Sequence, residues 1–367
     1  MERAKVVPIE LPAGRRVLVI SDIHGNLTFL KALLAQVGFC KSDILILLGD
    51  VLEKGVDSLA TLRYVMALAR DYEVHMLCGN CDNLAYNFVD EIPDIPPSFY
   101  ESYVFGWGEK CVLFQMASEA GVPLRSPADF PALRAAVREC FQPELDFLRA
   151  LPTILLSDKF LFVHGGVYRE DRLDQLTAWR CMKNDDFLDQ GFSFRHWVVV
   201  GHWPVTLYDP AIPSAAPIVL RDRHIISIDG GCQLKWDGQL NVLILPDGQS
   251  EDFSWQSYDG LPVGTALDRQ AASIDSINIR WSENPVEILE RGPEFSRCRH
   301  IASGRELDIL TAYLYEKGGV TRCEDSTDYR LPVEPGDRLS IVRETSRGYL
   351  AKKDGVTGWY AGRVRKD

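Results

Sequence analysis

No apolar run in the 367-residue chain approaches the eighteen or more residues of a membrane-spanning helix. The opening residues, Met1-Glu2-Arg3-Ala4-Lys5, lack the apolar core of a secretory signal. A cytoplasmic address and no membrane partner are the expectations. A disulfide framework is missing as well: nine cysteines is an odd number, scattered without paired spacing, which fits reduced thiols. Cys78 and Cys81 form a Cys-x-x-Cys pair, but no second pair completes a four-cysteine zinc site. Basic excess is also absent. The net charge is −12, and from Gln270 to the end sixteen Lys/Arg balance sixteen Asp/Glu, so the whole excess lies on residues 1–269. A strongly acidic region of that size argues against binding the nucleic-acid backbone. It suits a site whose charge is offset by bound cations.

What is present is a repeated pattern between Val17 and Asn83. Three apolar runs, Val17–Ile20, Ile44–Leu48 and Val74–Cys78, each lead into polar residues able to bind a metal: Asp22 and His24, Asp50, and Asn80. Between them, residues 27–37 and 56–69 carry apolar side chains at helical spacing. Strand, helix, strand, helix, strand predicts a parallel sheet with right-handed crossovers, in which ligands gather at the carboxyl ends of the strands.

Further along, residues 128–150 read as one helix, with Asp129 as N-cap and Pro131 in the first turn. Strands are expected at 153–157, 159–163 (ending at His164-Gly165-Gly166), 196–200 (ending at Gly201-His202), 224–228 and 240–245. The catalytic domain is assigned to residues 1–260 and a linker to 261–273. Gly264–Ser273 has few apolar anchors, so a hydrolase ending at Asp268 is expected to stand alone. Beyond it, short alternating strands suggest two small β-domains, 274–318 and 319–367. The second, with Pro335-Gly336-Asp337 ahead of a strand and Gly358-Trp359-Tyr360 behind it, resembles an SH3-like barrel. The first looks like a degenerate copy, and one irregular β-domain is the alternative.

Asp22-x-His24, Gly49-Asp50, Gly79-Asn80, His164-Gly-Gly and Gly201-His202 are each weak signals alone, since Gly-Asp is ordinarily a turn and a lone histidine ordinarily structural. Five at successive strand ends are specific together. With Ser-Asp-Ile-His-Gly-Asn at 21–26, Gly-Asp-Val-Leu-Glu-Lys-Gly at 49–55, Gly-Asn-Cys-Asp at 79–82, Val-His-Gly-Gly at 163–166, Gly-His-Trp-Pro at 201–204 and Ile-Asp-Gly-Gly at 228–231, residues 15–250 resemble the calcineurin-like metallophosphoesterase superfamily. Within it they are similar to the phosphoprotein-phosphatase branch, which includes bacterial Ser/Thr phosphatases and symmetrical dinucleoside tetraphosphatases. The resemblance implies an α/β fold, an αββα sandwich. It further implies one metal held by Asp22, His24 and Asp50, with Asp50 bridging to a second held by Asn80, His164 and His202. Such mixed donors suit manganese, iron or zinc better than calcium or magnesium. Asp229 could orient a ligand histidine.

The same resemblance implies two cations on the substrate phosphate. Lys54 stands where the family usually has arginine, and Arg180, after Trp179, looks like the second, with Arg169 or Arg172 as substitutes. The chief departure is Cys81, where the branch has a histidine that acts with the following acid, here Asp82, to protonate the leaving oxygen. Gly-Asn-Cys-Asp looks instead like the motif of small phosphodiesterases. A dinuclear-metal phosphomonoesterase acting on a phosphorylated small molecule or phosphoprotein is the leading expectation. A phosphodiesterase or dinucleoside polyphosphate hydrolase is the second. The third is a metal-binding scaffold whose C-terminal β-region binds a peptide or protein partner.

Overall fold

The computed structural model describes residues 2–93 and 95–366; Met1, Asp94 and Asp367 lie outside the described residues. No helix among the described residues is long and apolar enough to cross a membrane. The chain forms two compact units. The first runs to Trp203 and resumes over Pro217–Leu234 and Leu240–Tyr258. The second consists of Pro204–Ala216, Lys235–Gln239 and the chain from Asp259 onward.

Eleven strands and two crossover helices organise the first unit: β1 (Val6–Pro8), β2 (Val17–Ile20), α1 (Leu27–Gln36), β3 (Ile44–Leu47), α2 (Ser58–Asp71) and β4 (Glu73–Met76) come first. They are followed by β5 (Ile154–Leu156), β6 (Phe160–Val163), β7 (Trp197–Val200), β8 (Ile218–Leu220), β9 (Ile225–Ser227), β10 (Leu240–Leu245) and β11 (Ser254–Tyr258). One sheet has the order β11-β10-β2-β3-β4 and the other β1-β5-β6-β7-β9-β8. Strands β2, β3 and β4 are mutually parallel, as are β6, β7 and β9. The two-residue period of the strands sorts their side chains. Val17, Val19, Ile44 and Ile46 face Phe160, Phe162, Trp197, Val199 and Ile226 of the other sheet. Leu18, Ile20, Leu45 and Leu47 point the opposite way, into a core shared with Leu30 and Leu33 of α1 and Leu62 and Val65 of α2. Full burial of each such side chain contributes roughly 1.5–3 kcal/mol. Asn26 starts α1 by accepting the Phe29 N–H at 3.1 Å.

Residues 128–150 form two helices instead of one, Phe130–Cys140 and Gln142–Ala150. Pro143 lacks the N–H that a continuous helix would need there, and the backbone breaks at Phe141.

The second unit is built from small antiparallel sheets. A five-stranded one has the order Val356–Tyr360, Gly348–Lys353, Arg338–Thr345, Val263–Ala266, Val364–Lys366. A three-stranded one joins Val286–Glu290, Phe295–His300 and Glu306–Leu310. Two apolar clusters accompany them, one around Ile279, Cys298 and Ile309, the other around Ala266, Leu339 and Tyr360. The assigned linker is therefore corrected. Val263–Ala266 pairs on one side with Arg338–Thr345 and on the other with Val364–Lys366. Gly264 is small for a packing reason: a Cβ there would meet Val364 Cγ1 at 2.4 Å. The boundary between residues 318 and 319 also fails, because it falls on the Gly318-Gly319 turn of the hairpin Leu314–Lys317/Val320–Cys323.

The segment Lys235–Gln239 adds an ionic anchor inside this unit. The Lys235 side chain, 4% exposed, pairs with Asp325 and lies 3.4 Å from Asp237, which accepts the Thr357 hydroxyl at 2.6 Å. Removing one side of a buried pair costs about 3–5 kcal/mol. Truncation after Asp268 deletes Asp325, Thr357 and both strands flanking Val263–Ala266. Expected, against the view that the hydrolase stands alone, is a protein that is insoluble or melts well below the full chain in thermal unfolding. A truncated form with an unchanged midpoint would show the second unit to be dispensable.

Candidate metal centre

Six strands deliver polar residues to one place. Asp22 and His24 follow β2, Asp50 follows β3, Asn80 follows β4, His164 follows β6, His202 follows β7 and Asp229 follows β9. The connecting backbone is sharply bent: Asp22, His24, Asp50 and His202 all have φ between 49° and 67°. Such left-handed residues cost of order 1–3 kcal/mol each and persist only where the surroundings over-determine them. Interlocking glycines do so here. A Cβ on Gly79 would lie 2.2 Å from Asp50 Oδ1, and one on Gly201 1.9 Å from Ser21 Oγ and 2.3 Å from Asp22 Oδ2.

Asp50 sits in the middle. Its Oδ2 is 3.9 Å from His24 Nε2 and its Oδ1 3.4 Å from His164 Nε2. Two groups of ligand-bearing side chains share it: His24, Asp50 and Cys81, and Asp50, His164 and His202, with the ligand atoms of each group within 4.8 Å of one another. Asp22 Oδ1 lies 3.7 Å from His24 Nε2. The Asp22 Oδ2 atom is occupied by the Ser21 hydroxyl and the His202 N–H, at 2.6 and 2.9 Å.

The histidines are aimed by backbone. His24 Nδ1 is 3.2 Å from the Leu52 carbonyl and His164 Nδ1 3.0 Å from that of Leu48, which turns each Nε2 toward Asp50. No hydrogen bond from Asp229 to a ligand histidine occurs among the described residues. Its Oδ1 accepts the Gly231 N–H, and its charge faces Asp22 and Lys54. Burial, reinforced by Asp22, raises the Asp229 carboxyl well above the usual range.

A pair of divalent ions fits these residues. Asp22 Oδ1, Asn80 Oδ1 and His164 Nε2 are buried without a hydrogen-bond partner, and such orphaned atoms are costly unless something binds them. Burial and the neighbouring Lys54 lower His24 to about 4, so its imidazole is neutral and free to ligate. His164 differs: burial opposes its charge, but Asp50, Asp22 and Asp82 together lift it to about 9.

The residues expected to hold phosphate separate. Lys54 Nζ is brought to 3.3 Å from His24 Nε2. Burial works against its charge, but Cys81, Asp50, Asp22 and Asp229 raise it to about 12. Arg180 is exposed, with its guanidinium 5.2 Å from the ring centroid of Tyr168. Among the described residues no hydrogen bond or ion pair ties it to the ligand cluster. Arg169 pairs with Asp171. The second cation at the centre is one that spacing gave no signal for: Lys183, whose Nζ is 3.3 Å from His202 Nε2. Asp185 accepts from both, at 2.8 Å from His202 Nε2, leaving Nδ1 as the free nitrogen of that ring.

Asp82 is not placed as an acid facing substrate. Its Oδ2 accepts the N–H groups of Asp50 and Gly79 at 2.7 and 2.9 Å, and its Oδ1 those of Val51 and Leu52 at 3.0 and 3.1 Å. Burial and the Asp50 charge raise its carboxyl, to about 7, against that backbone support. Every lone-pair direction is taken by a donor, so its work is to pin the Asp50 turn. Cys81 does reach the centre. Its N–H donates to Asp50 Oδ1 at 2.8 Å, and burial, reinforced by Asp50, pushes its thiol well above the ordinary value.

A sandwich that sets one carboxylate between two imidazole-bearing clusters is the arrangement of a metal-dependent phosphoesterase. Residues 15–228, more than half of the chain, match the calcineurin-like phosphoesterase family, and the chain belongs to it. That family uses a divalent metal centre. A symmetrical bis(5'-nucleosyl)-tetraphosphatase of Hamiltonella defensa is 30% identical over 166 residues, 44% of this chain and 48% of that protein. Its counterpart in Pectobacterium atrosepticum is 48% identical over 65 residues, 17% of this chain and 22% of that protein. The chain thus spans about half, or less, of the length of these curated relatives. Among solved structures, a protein serine/threonine phosphatase of Saccharomyces cerevisiae aligns over 71% of this chain and 85% of its own, at 11% identity and a TM-score of 0.39. A metallophosphoesterase of Sphaerobacter thermophilus aligns over 66% and 88%, at 17% identity and a TM-score of 0.38.

If Asp82 is a clamp, Asp82→Asn replaces an acceptor of four bonds by one with a single acceptor oxygen. About 1–3 kcal/mol is lost for each buried N–H left unpaired. Expected are a lower melting midpoint and reduced metal content by elemental analysis, with activity falling equally on substrates of good and poor leaving groups. A variant of normal stability and metal content, impaired only on poor leaving groups, would return Asp82 to the role of acid.

Proposed function

We propose that the chain is a two-metal hydrolase whose preferred substrates carry good leaving groups: phosphoanhydrides, dinucleoside polyphosphates among them, and aryl phosphates. The observation that carries this reading lies in the turn 79–82. The acid position holds a buried thiol instead of an imidazole, and the neighbouring Asp82 carboxylate is occupied by four backbone donors. A thiol is a weak donor, and one whose pKa is raised further gives up its proton still less readily. Alkyl phosphomonoesters such as phosphoserine, which need their leaving oxygen protonated, rank below substrates that do not. Phosphoserine-type phosphoproteins, part of the leading expectation from sequence, are therefore demoted. The tetraphosphatase names of the relatives support the anhydride reading.

In this proposal Asp22, His24 and Asp50 hold one ion, and Asp50, Asn80, His164 and His202 the other. The nitrogen and oxygen donor set favours manganese, iron or zinc. When bound, the ions supply an acidified water and Lewis-acid contact to the phosphoryl oxygens. The chain's own cations flank them. Lys54 stands at the His24 end and Lys183 at the His202 end, which supports assigning them to the negative phosphoryl oxygens. Ammonium groups lack the bidentate fork of arginine, which leaves room for phosphate groups carrying different substituents.

Cys81→His restores an imidazole beside Asn80. General acid catalysis is typically worth about 10²–10⁴-fold. Phosphoserine turnover by the manganese-loaded variant should rise toward that range. Turnover of p-nitrophenyl phosphate and of diadenosine tetraphosphate should change only a few-fold. Fast phosphoserine hydrolysis by the unmodified protein, or an equal gain on all three substrates, would reject the assignment.

A further inference from the structure

A cleft of about 440 Å³ in the first unit is lined by Tyr168, Arg169, Glu170, Asp171, Phe192, Ser193, Phe194 and Arg195. None of these residues belongs to the ligand cluster, yet the cleft is built onto it. Tyr168 lies four residues beyond His164, so their Cα atoms are within about 14 Å of each other even for a fully extended chain. The ring of Phe187 packs against Gly166, where an added Cβ would meet it at 2.6 Å. From Phe187 the rings continue to Phe192 and Phe194, with centroids 6.3 and 6.0 Å away. On the other side Arg180 covers Tyr168, and the same short helix, Ala178–Met182, leads directly into Lys183 at His202.

The charged residues lining the cleft balance, Arg169 and Arg195 against Glu170 and Asp171, within a unit that is strongly acidic. The two acids of the cleft are already engaged: Asp171 by Arg169, and Glu170 by His196 and by the N–H groups of Arg195 and His196. Among the described residues Arg180 and Arg195 have no carboxylate partner. Arg223 beneath the cleft gives its Nε to the Phe192 carbonyl and one terminal nitrogen to Leu188, while its other terminal nitrogen is buried without a partner. Arg180 over the ring of Tyr168, which is 39% exposed, and Arg195 in the lining set two guanidinium groups without carboxylate partners beside the aromatic surface of Tyr168 and Phe192. Aromatic faces stack any nucleobase, and arginine adds cation–π attraction and phosphate contact.

We infer that this cleft binds the second nucleoside of a dinucleoside polyphosphate while a phosphate between the two nucleosides lies at the metal centre. The base lies against Tyr168 and Phe192, and the bridging phosphates run past Arg180 and Lys183 toward Asp50. The inference rests on the anhydride reading proposed above and names the part of the substrate that lies beyond the reacting phosphate.

Steady-state kinetics of the manganese-loaded full chain test it, with diadenosine tetraphosphate and p-nitrophenyl phosphate as probes. Tyr168→Leu and Arg195→Gln, both on the surface, should each raise KM for the tetraphosphate at least tenfold with kcat nearly unchanged. The KM for p-nitrophenyl phosphate, which has no second nucleoside, should move less than twofold. A tetraphosphate KM unchanged in both variants would overturn the cleft and leave the anhydride reading standing. Rapid hydrolysis of p-nitrophenyl phosphate with none of diadenosine tetraphosphate would overturn the anhydride reading, and the cleft with it.

Discussion

One carboxylate, that of Asp82, gathers the backbone N–H groups of Gly79, Asp50, Val51 and Leu52, and the rest of the centre depends on that grip. It ties the turn after β4 to the turn after β3 and fixes the left-handed backbone of Asp50. The Leu52 carbonyl then aims His24, and the Asp50 carbonyl receives the His24 N–H at 2.9 Å. The far side follows. Asp22, held by the Gly49 carbonyl through its own N–H, accepts the His202 N–H, and the Leu48 carbonyl aims His164. The side chains of His24, Asp22, Asp50 and His164 are therefore positioned by main chain from outside their own turns. A displacement of one turn would be felt by several ligands together.

Such an arrangement is unfavourable when considered as a folded chain alone. Several ligands occupy left-handed backbone, three buried ligand atoms have no partner, and Asp22, Asp50, Asp82 and Asp229 crowd one pocket. The apolar layers on both sides of β2 and β3 hold the turns in place against these terms. Half-buried Lys54 supplies part of the missing positive charge. Divalent cations would supply the rest, which explains physically why an acidic unit can tolerate so many carboxylates at its centre.

Much of this was legible in the sequence because strand periodicity and the polar residue that ends each strand are local signals. Asp22, His24, Asp50, His164 and His202 were found from their position after apolar runs, and the structure brings them together. The backbone clamp made by Asp82 was not legible, because hydrogen bonds to four backbone donors across two turns leave no trace in residue type. Lys183 was invisible because its approach to His202 depends on how the helix Ala178–Met182 sits against the His164-Gly165-Gly166 turn, through the Cys181 carbonyl. Arg180, three positions earlier, resembles the family's second phosphate arginine by its place after Trp179, but its guanidinium lies over Tyr168. At the other end, Gly264 and its small neighbours imitate a linker. Gly264 is small because Val364 of a neighbouring strand approaches it closely, and that proximity is long-range information.

The separation of clamp from acid explains how a cysteine can stand at position 81. In a turn whose geometry relied on the side chain at 81, exchange of an imidazole for a thiol would disturb Asp50. Here the geometry relies on Asp82 and on the Cys81 main-chain N–H, which any residue but proline provides. The side chain at 81 is free to vary without moving the Asp50 carboxylate. What varies with it is the chemistry offered to the leaving group, along with the charge and softness of a donor atom close to His24 and Asp50. Lys54 and Lys183 are compatible with that shift. An ammonium can offset phosphate charge without demanding a particular orientation of it, which under the proposed reading suits a substrate that leaves as a stable anion and needs charge stabilisation more than a proton.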